Sequence, residues 1–168
     1  QGYSAVIPEL RKFTGANMLC DIGNGTMIVM AINDRKPVLE QCFTEKYGTY
    51  QCVLKAREAL TRLCGRTVPD VTIEQVMREG TADIAPEYVQ VIREAAADYA
   101  AEIMRKLREH EYDPKTMRLW IVGGGGCLIR NFGQYDPNRV TIIGDIHASA
   151  NGYEYLAERR LQREARAR

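Results

Sequence analysis

The residues best suited to chemistry stand in one short stretch, Asp21-Ile22-Gly23-Asn24-Gly25-Thr26, between two apolar runs. Gly23 and Gly25 have no Cβ, so their N–H groups can approach an anion closely, as in a nest that holds phosphate. The Thr26 hydroxyl can donate to the same oxygens. The Asp21 carboxylate can hold a hydrated divalent cation beside the phosphate. The stretch therefore predicts a phosphate-binding loop with a cation site.

The same stretch also fits a plain β-hairpin without a ligand. Asn-Gly between apolar runs is a strong hairpin signal, because a tight two-residue turn requires φ > 0 at both positions. On this interpretation Asn24 and Gly25 form the turn and serve no other purpose. Both interpretations predict a strand, a turn and a strand, so the rest of the chain must decide whether the loop has chemistry.

A second glycine cluster, Gly123-Gly124-Gly125-Gly126, directly follows an apolar run. Such a cluster is either a flexible loop or backbone that closely approaches a ligand at the carboxyl end of a strand. It is not a dinucleotide fingerprint, because Ile129 stands where the third glycine of that motif would be, and no Gly-Lys-Ser/Thr of a phosphate-binding P-loop follows. Two glycine loops that leave two strands can line one crevice, with phosphate on one loop and base and sugar on the other.

The composition argues against several classes of protein. The net charge of +1 gives no global argument for nucleic acid or membrane, and no apolar run approaches the ~20 residues of a membrane span. The five cysteines are odd in number and lack a Cys-x-x-Cys pair, which opposes a disulfide framework or a zinc site and predicts thiols in a reducing cytoplasm. Because the chain starts with Gln1 rather than Met, we expect a piece of a longer protein.

Turn signals and alternating apolar residues predict three strands in the first third of the chain, after a short helix or irregular segment. The strands cover residues 17–21, 26–32 and 36–44, and tight turns between them make an antiparallel meander. In the third strand, Val38 and Cys42 should lie on one face and Leu39 and Phe43 on the other.

Downstream, the apolar spacing becomes helical. Gly65 and Gly80 should end helices over residues 53–64 and 72–77, and a long helix should run from Pro86 to near His110. The remaining predicted elements are strands at 118–122 and 140–143, a helix at 127–132, and a helix at 148–168 that buries Tyr155 and Leu156. This order predicts an α/β fold with one mixed sheet, made from the meander and parallel strands, and helices packed against it.

The Arg-rich end of the chain predicts a solvated helix end whose cations complement the helix dipole, rather than a contact with DNA or an acidic partner. The arginines concerned are Arg159, Arg160, Arg163, Arg166 and Arg168. We therefore expect no direct binding to nucleic acid.

Three segments together resemble a known superfamily. Asp-Ile-Gly-Asn-Gly-Thr in a strand-turn-strand resembles the second phosphate loop of the superfamily of actin, sugar kinases and DnaK-type chaperones, and Ile-Val-Gly-Gly-Gly-Gly resembles its adenosine loop. The segment 148–156 resembles the last helix of plasmid-segregation actins of the ParM type. The resemblance covers nearly all of the chain but only the second half of a complete family member. It implies a ribonuclease-H-like domain II, with residues 1–15 as hinge, residues 66–110 as a smaller subdomain, and domain I absent.

The resemblance also implies roles for the glycine loops. Asp21 would bind in the Mg²⁺ shell and help to position the attacking water, which Gln1 is a candidate to orient. The β- and γ-phosphates of ATP or GTP would lie on Gly23, Asn24, Gly25 and Thr26. The adenosine would lie on Gly123, Gly124, Gly125 and Gly126. Asn24 departs from the family pattern, which typically has glycine at this position.

As a whole, the resemblance implies the ATP-binding half of a filament-forming ATPase that segregates plasmid DNA through an adaptor protein bound to that DNA. Two alternatives stay open, half of a sugar or acetate kinase and a non-catalytic binding module whose glycine loops are only turns. Since one half of a cleft supplies only half of the donors, we expect this chain alone to bind ATP weakly and to hydrolyse it negligibly.

Overall fold

The computed structural model describes residues 2–145 and 147–166, without the side chains of Arg163 and Arg166. Gln1, the candidate for orienting water, lies outside the described residues. The strands are β1 (Ala16–Ile22), β2 (Met27–Asn33), β3 (Lys36–Glu45), β4 (Arg118–Val122) and β5 (Val140–Ile142). The helices are α1 (Gly2–Val6), α2 (Thr49–Cys64), α3 (Asp70–Glu79), α4 (Pro86–Glu109), α5 (Gly126–Phe132) and α6 (Ala148–Arg166), and a 3₁₀ helix follows α1 over Ile7–Lys12.

The five strands form one mixed sheet in the order β3-β2-β1-β4-β5. The first three strands pair antiparallel, whereas β4 pairs parallel with β1, and β5 pairs parallel with β4. The predicted fold class is therefore confirmed. Since β1 and β4 run in the same direction, their carboxyl ends meet at one edge of the sheet, and the two glycine loops begin there.

Helices cover both faces of the sheet, and each face has its own apolar cluster. On one face, α2, α3, α4 and α5 pack over β1, β2 and β4, and on the other, α1, the 3₁₀ helix and the start of α6 pack around Trp120. The stretch 66–110 contains α3 and α4, whose buried side chains belong to the first of these clusters. Covering both faces explains why the inner strands read as nearly continuous apolar runs.

Two helix ends follow the sequence prediction closely. Gly65 and Gly80 end α2 and α3 with φ of +66° and +79°, a left-handed conformation that glycine adopts without strain. None of the five cysteines, all of which the structure describes, forms a disulfide. Within the described parts of the chain, no helix has both the length and the apolar character needed to cross a membrane.

The predicted faces of β3 are wrong, because a bulge interrupts its pairing with β2. Val38 lies opposite Ala31, and Phe43 lies opposite Val29, while Cys42 lies opposite Met30. Since alternate residues of β2 point to the same face, Val38 shares its face with Phe43 and not with Cys42. Three extra residues of β3, 39 to 41, account for the change of face.

The predicted burial on the last helix is also wrong. Leu156 is 44% exposed and Tyr155 is only half-buried, whereas Gly152, one turn earlier, is buried. The helix contacts the rest of the molecule mainly through its first turns, where it crosses α1. A side chain at Gly152 would overlap the carbonyl oxygen of Ser4, so this glycine permits the crossing.

Candidate functional site

The structure brings the two glycine loops together at the carboxyl ends of β1 and β4. Asp21 lies opposite Val122 in the parallel pair, so the residues that follow each strand emerge side by side. The Gly125 amide donates a hydrogen bond of 2.9 Å to the carbonyl oxygen of Ile22. A Cβ on Gly123 would lie 2.6 Å from Oδ1 of Asp21. One carboxylate and two glycine-rich bends therefore form one continuous surface.

The first loop is wider than the predicted two-residue turn. Ile22 pairs with Met27, which leaves a four-residue connection closed by a 2.9 Å hydrogen bond from the Gly23 amide to the Thr26 carbonyl. Neither Asn24 nor Gly25 has a left-handed φ, so the predicted turn conformation is wrong. That conformation occurs instead in the next turn, at Asp34 and Arg35, with φ of 45° and 72°.

Contacts from the start of α2 explain the shape of the first loop. The Thr49 amide donates to the Gly23 carbonyl (3.0 Å), and the Tyr50 amide donates to the Asn24 carbonyl (2.9 Å). The Thr49 hydroxyl also donates to the side-chain oxygen of Asn24 (3.3 Å). These bonds satisfy amides that every helix N-terminus leaves without intrahelical partners, and they spread the loop across that terminus.

Gly48, which sequence reasoning missed, allows this close approach. A Cβ at this position would overlap the carbonyl oxygen of Asn24 and would lie 2.5 Å from the carbonyl carbon of Gly25. Any larger residue would therefore push the first loop away from α2. The requirement has no local signal in the sequence, since it arises from a loop more than twenty residues earlier in the chain.

The second loop combines one left-handed residue with two packed ones. Gly123 has φ of +85°, which favours glycine at this position. A side chain on Gly125 would overlap Ile22, and Gly126 lies against Ile142. Gly124, by contrast, is exposed, and a Cβ there would have no atom within 4 Å. The loop thus presents open backbone at Gly124 while its neighbours attach it to the sheet.

Asp21 lies between the two loops, half-buried at the end of β1. Gly2 of α1 packs against it, since a Cβ on Gly2 would lie 2.6 Å from the Cβ of Asp21. Burial raises the pKa of this carboxyl above its ordinary value. Within the described residues, no side chain or amide donates a hydrogen bond to the carboxylate.

The site offers a single carboxylate to a metal. Among the described residues, no group of three or more His, Cys, Asp or Glu side chains could hold a metal ion. One carboxylate does fit Mg²⁺, which usually keeps several waters and is held by one or two carboxylates together with substrate phosphates. The donor set therefore fits magnesium that arrives with a nucleotide better than a resident metal.

Solved structures share the overall fold of this chain. An archaeal actin homologue, Ta0583, superposes with a TM-score of 0.74 and 26% identity over 95% of this chain and 54% of its own length. The fold is that of the actin-like ATPases. The same homologue in complex with ADP superposes with a TM-score of 0.70 at 25% identity, over 95% of this chain and 56% of its own.

Bacterial proteins share the actin-like fold at lower identity. The MreB 5 of Spiroplasma citri, bound to AMPPNP, superposes with a TM-score of 0.70 at 12% identity and covers 99% of this chain and 60% of its own. The pSK41 ParM protein gives 0.68 at 18%, over 90% of this chain and 43% of its own. The chain thus spans about half the length of the structures it matches. No family model and no curated protein matches the sequence.

Proposed function

We propose that this chain is the ATP-binding half of an actin-like, filament-forming ATPase that segregates plasmid DNA. It would contribute the second phosphate loop and the adenosine loop. The observation that carries the proposal is the junction of the two glycine loops beside Asp21, where the Gly125 amide bonds the Ile22 carbonyl. The likeness to an archaeal actin homologue solved with ADP adds support, because that structure combines this fold with a nucleotide.

In this proposal the exposed first loop holds the β- and γ-phosphates through Gly23, Asn24, Gly25 and Thr26. The amides of Asn24 and Gly25 donate to no backbone carbonyl of the described residues, so they are free to donate to phosphate oxygens. The carbonyl oxygens of Gly23 and Asn24 accept hydrogen bonds from amides of α2. These partly negative oxygens therefore point toward α2 and would not repel the phosphate. Asn24 can serve in this loop in place of the usual glycine because its side chain accepts a hydrogen bond from Thr49.

Asp21 would hold Mg²⁺ through water and orient the attacking water. When bound, Mg²⁺ would neutralise charge on the phosphates and carry ordered water. A cation beside the carboxylate would also favour its ionised form, which burial disfavours. Gly123, Gly124, Gly125 and Gly126 would carry the adenosine, with the open backbone at Gly124 as the closest approach.

The larger role extends the proposal to the longer protein. Residues 1–15 would be the hinge and residues 66–110 a smaller subdomain, while domain I would supply the opposite wall of the cleft. Assembly into filaments and an adaptor bound to plasmid DNA would follow from the ParM type, which the segment 148–156 resembles. The likeness to solved ParM proteins supports the fold on which this extension rests.

Nucleotide binding by the 168-residue chain is the first test. Titration calorimetry with ADP, ATP and GTP in the presence of Mg²⁺ should show weak binding, and a phosphate-release assay should show negligible turnover. Asp21→Ala should remove the Mg²⁺-dependent part of the affinity. No binding by the wild-type chain would overturn the proposal, and equal affinity in Asp21→Ala would favour a non-catalytic module. Robust turnover would contradict its assignment as half of a cleft.

Filament formation is the second test and uses the longer protein that contains this sequence. An ATP-dependent rise in light scattering, with filaments visible by electron microscopy, is the expected result. Phosphate transfer to a sugar or to acetate without any rise would instead identify a kinase of the same superfamily. The first outcome supports the filament-forming ATPase and the second supports the kinase.

A further inference from the structure

A buried tyrosine connects the long helix α4 to the first glycine loop. Tyr99 is 1% exposed, and its hydroxyl donates a 2.8 Å hydrogen bond to the carbonyl oxygen of Gly48. Its ring stacks near Tyr47, with 5.8 Å between ring centroids, and Lys55 lies 5.4 Å above it. The ring is thus confined, and its one polar atom is directed at the residue that precedes α2.

Both backbone polar groups of Gly48 form hydrogen bonds with side chains. Its amide donates to the side-chain oxygen of Gln51 (3.0 Å), and its carbonyl accepts from Tyr99. The two residues after it donate their amides to the Gly23 and Asn24 carbonyls. Gly48 also lies so close to Asn24 that no Cβ would fit between them. A displacement of Gly48 therefore displaces the first loop.

The Tyr99 hydroxyl can make this contact over the whole physiological range of pH. Burial raises the pKa of Tyr99 well above its ordinary value, and the nearby Cys52, Tyr47 and Glu102 raise it further. The hydroxyl is therefore protonated and remains a donor. A buried carbonyl left without this donor would lose a hydrogen bond and stay out of contact with water.

We propose that Tyr99 is a positioning residue for the first glycine loop. Through its bond to Gly48 it holds the start of α2, and α2 in turn holds the loop in the shape that receives phosphate. The role rests on the proposed function, because it concerns the affinity of the same loop for nucleotide. Because its hydroxyl bonds Gly48 and not a residue of the loop, its effect on the loop would be indirect.

The test is Tyr99→Phe in the full 168-residue chain, with Tyr112→Phe as the matched control. Tyr112 is also buried in the same apolar cluster but lies thirteen residues further along the chain, beyond the end of α4. Amide chemical shifts of residues 23–26 and 48–50 would report the position of the loop, and calorimetry would report the affinity for Mg²⁺–ADP. Thermal unfolding of each variant would measure the general loss of stability.

In Tyr99→Phe we expect shifted amides in the first loop and an affinity about threefold to tenfold lower, the range for one lost hydrogen bond. Tyr112→Phe should leave both unchanged at a similar unfolding temperature. Gly48→Ala should shift the same amides further. If Gly48→Ala fails to fold, the result for Tyr99→Phe alone still tests the role. Unchanged amide shifts in the loop and unchanged affinity in Tyr99→Phe would overturn the positioning role of Tyr99 and leave the proposed function standing. No nucleotide binding by the wild type would overturn the proposed function and the role with it.

Discussion

The amide of Gly125 donates to the carbonyl oxygen of Ile22 across 2.9 Å, and the side chain of Ile22 fills the space where Gly125 would carry a Cβ. The loop after β4 is therefore attached to the last residue of β1 by a hydrogen bond and by packing. Because both strands end at the same edge, this attachment makes a single surface from two loops that are about a hundred residues apart in the chain.

Two adjacent glycines of the second loop should respond oppositely to alanine. Gly125→Ala places a methyl group against Ile22, 2.7 Å from its Cβ, and should lower the free energy of unfolding by about 1–3 kcal/mol, the usual range for overpacking. Gly124→Ala meets no atom within 4 Å and should leave stability unchanged or raise it by about 0.5 kcal/mol. Urea unfolding of the two variants makes this comparison.

The same two glycine variants also test whether adenosine binds at the second loop. If adenosine approaches the exposed backbone at Gly124, then Gly124→Ala should weaken nucleotide binding although it does not destabilise the fold. Calorimetry of this variant against the wild type would show the loss. Undiminished affinity in Gly124→Ala would place the base elsewhere, and equal destabilisation by both variants would contradict the packing described here.

Asp21→Asn should raise the stability of the fold at neutral pH and lower the affinity for Mg²⁺–nucleotide. Because burial raises the pKa of Asp21 in the folded state, the fold favours the neutral acid. That stabilisation is present below the ordinary pKa of an aspartate and is lost as pH rises through the raised pKa. Asp21→Asn should therefore unfold at higher urea than the wild type near about pH 7, and at equal urea near about pH 3.

Affinity for Mg²⁺–nucleotide should fall at least about tenfold in the same Asp21→Asn variant, as for other lost metal contacts. Glu158→Gln, which removes a carboxylate from the exposed face of α6, is the control and should change neither property. A loss of stability in Asp21→Asn at neutral pH would show that the carboxylate stabilises the folded protein, contrary to the effect expected from its burial.

Gly152→Ala should destabilise the protein although alanine normally favours helices over glycine by about 1 kcal/mol. The added methyl group would overlap the carbonyl oxygen of Ser4, so α6 would have to move away from α1 at a cost of about 2 kcal/mol. Glu158→Ala, an exposed change in the same helix, should alter stability by less than about 0.5 kcal/mol. Increased stability of Gly152→Ala in urea unfolding would show that the two helices do not cross at this residue.

Arg35→Gly should stabilise the turn between β2 and β3. Arg35 has φ of 72°, a left-handed conformation that costs a residue with a Cβ about 1 kcal/mol, and its carbonyl, which accepts from Tyr3, is retained in the variant. The expected gain is about 0.5–1 kcal/mol. Lys36→Gly, one residue later in β3, should instead lose about 0.5–1 kcal/mol. A net loss in Arg35→Gly would mean that its side chain stabilises the turn more than its backbone strains it.

Much of the architecture could be predicted from local patterns. Alternating and helical apolar spacing predicted every strand and the principal helices, because burial on one face of an element imposes that period on the sequence. Gly65 and Gly80 identified two helix ends, because a left-handed terminus favours glycine whatever surrounds it. Positions 21–26 and 123–126 stood out for a similar reason, since clustered glycine beside apolar runs is unusual in itself.

Contacts between distant segments decided the rest. Gly48 and Gly152 are required by backbone that lies against them, and Tyr99 finds its acceptor about fifty residues away, so no local pattern could reveal these roles. Binding to α2 replaced the expected turn at Asn24 and Gly25, and the bulge in β3 changed the face of Cys42. The sequence alone thus determined which elements form and which residues are candidates for binding a nucleotide. Only the tertiary structure decided which residues hold them in place, because close packing is a property of pairs that the chain brings together on folding.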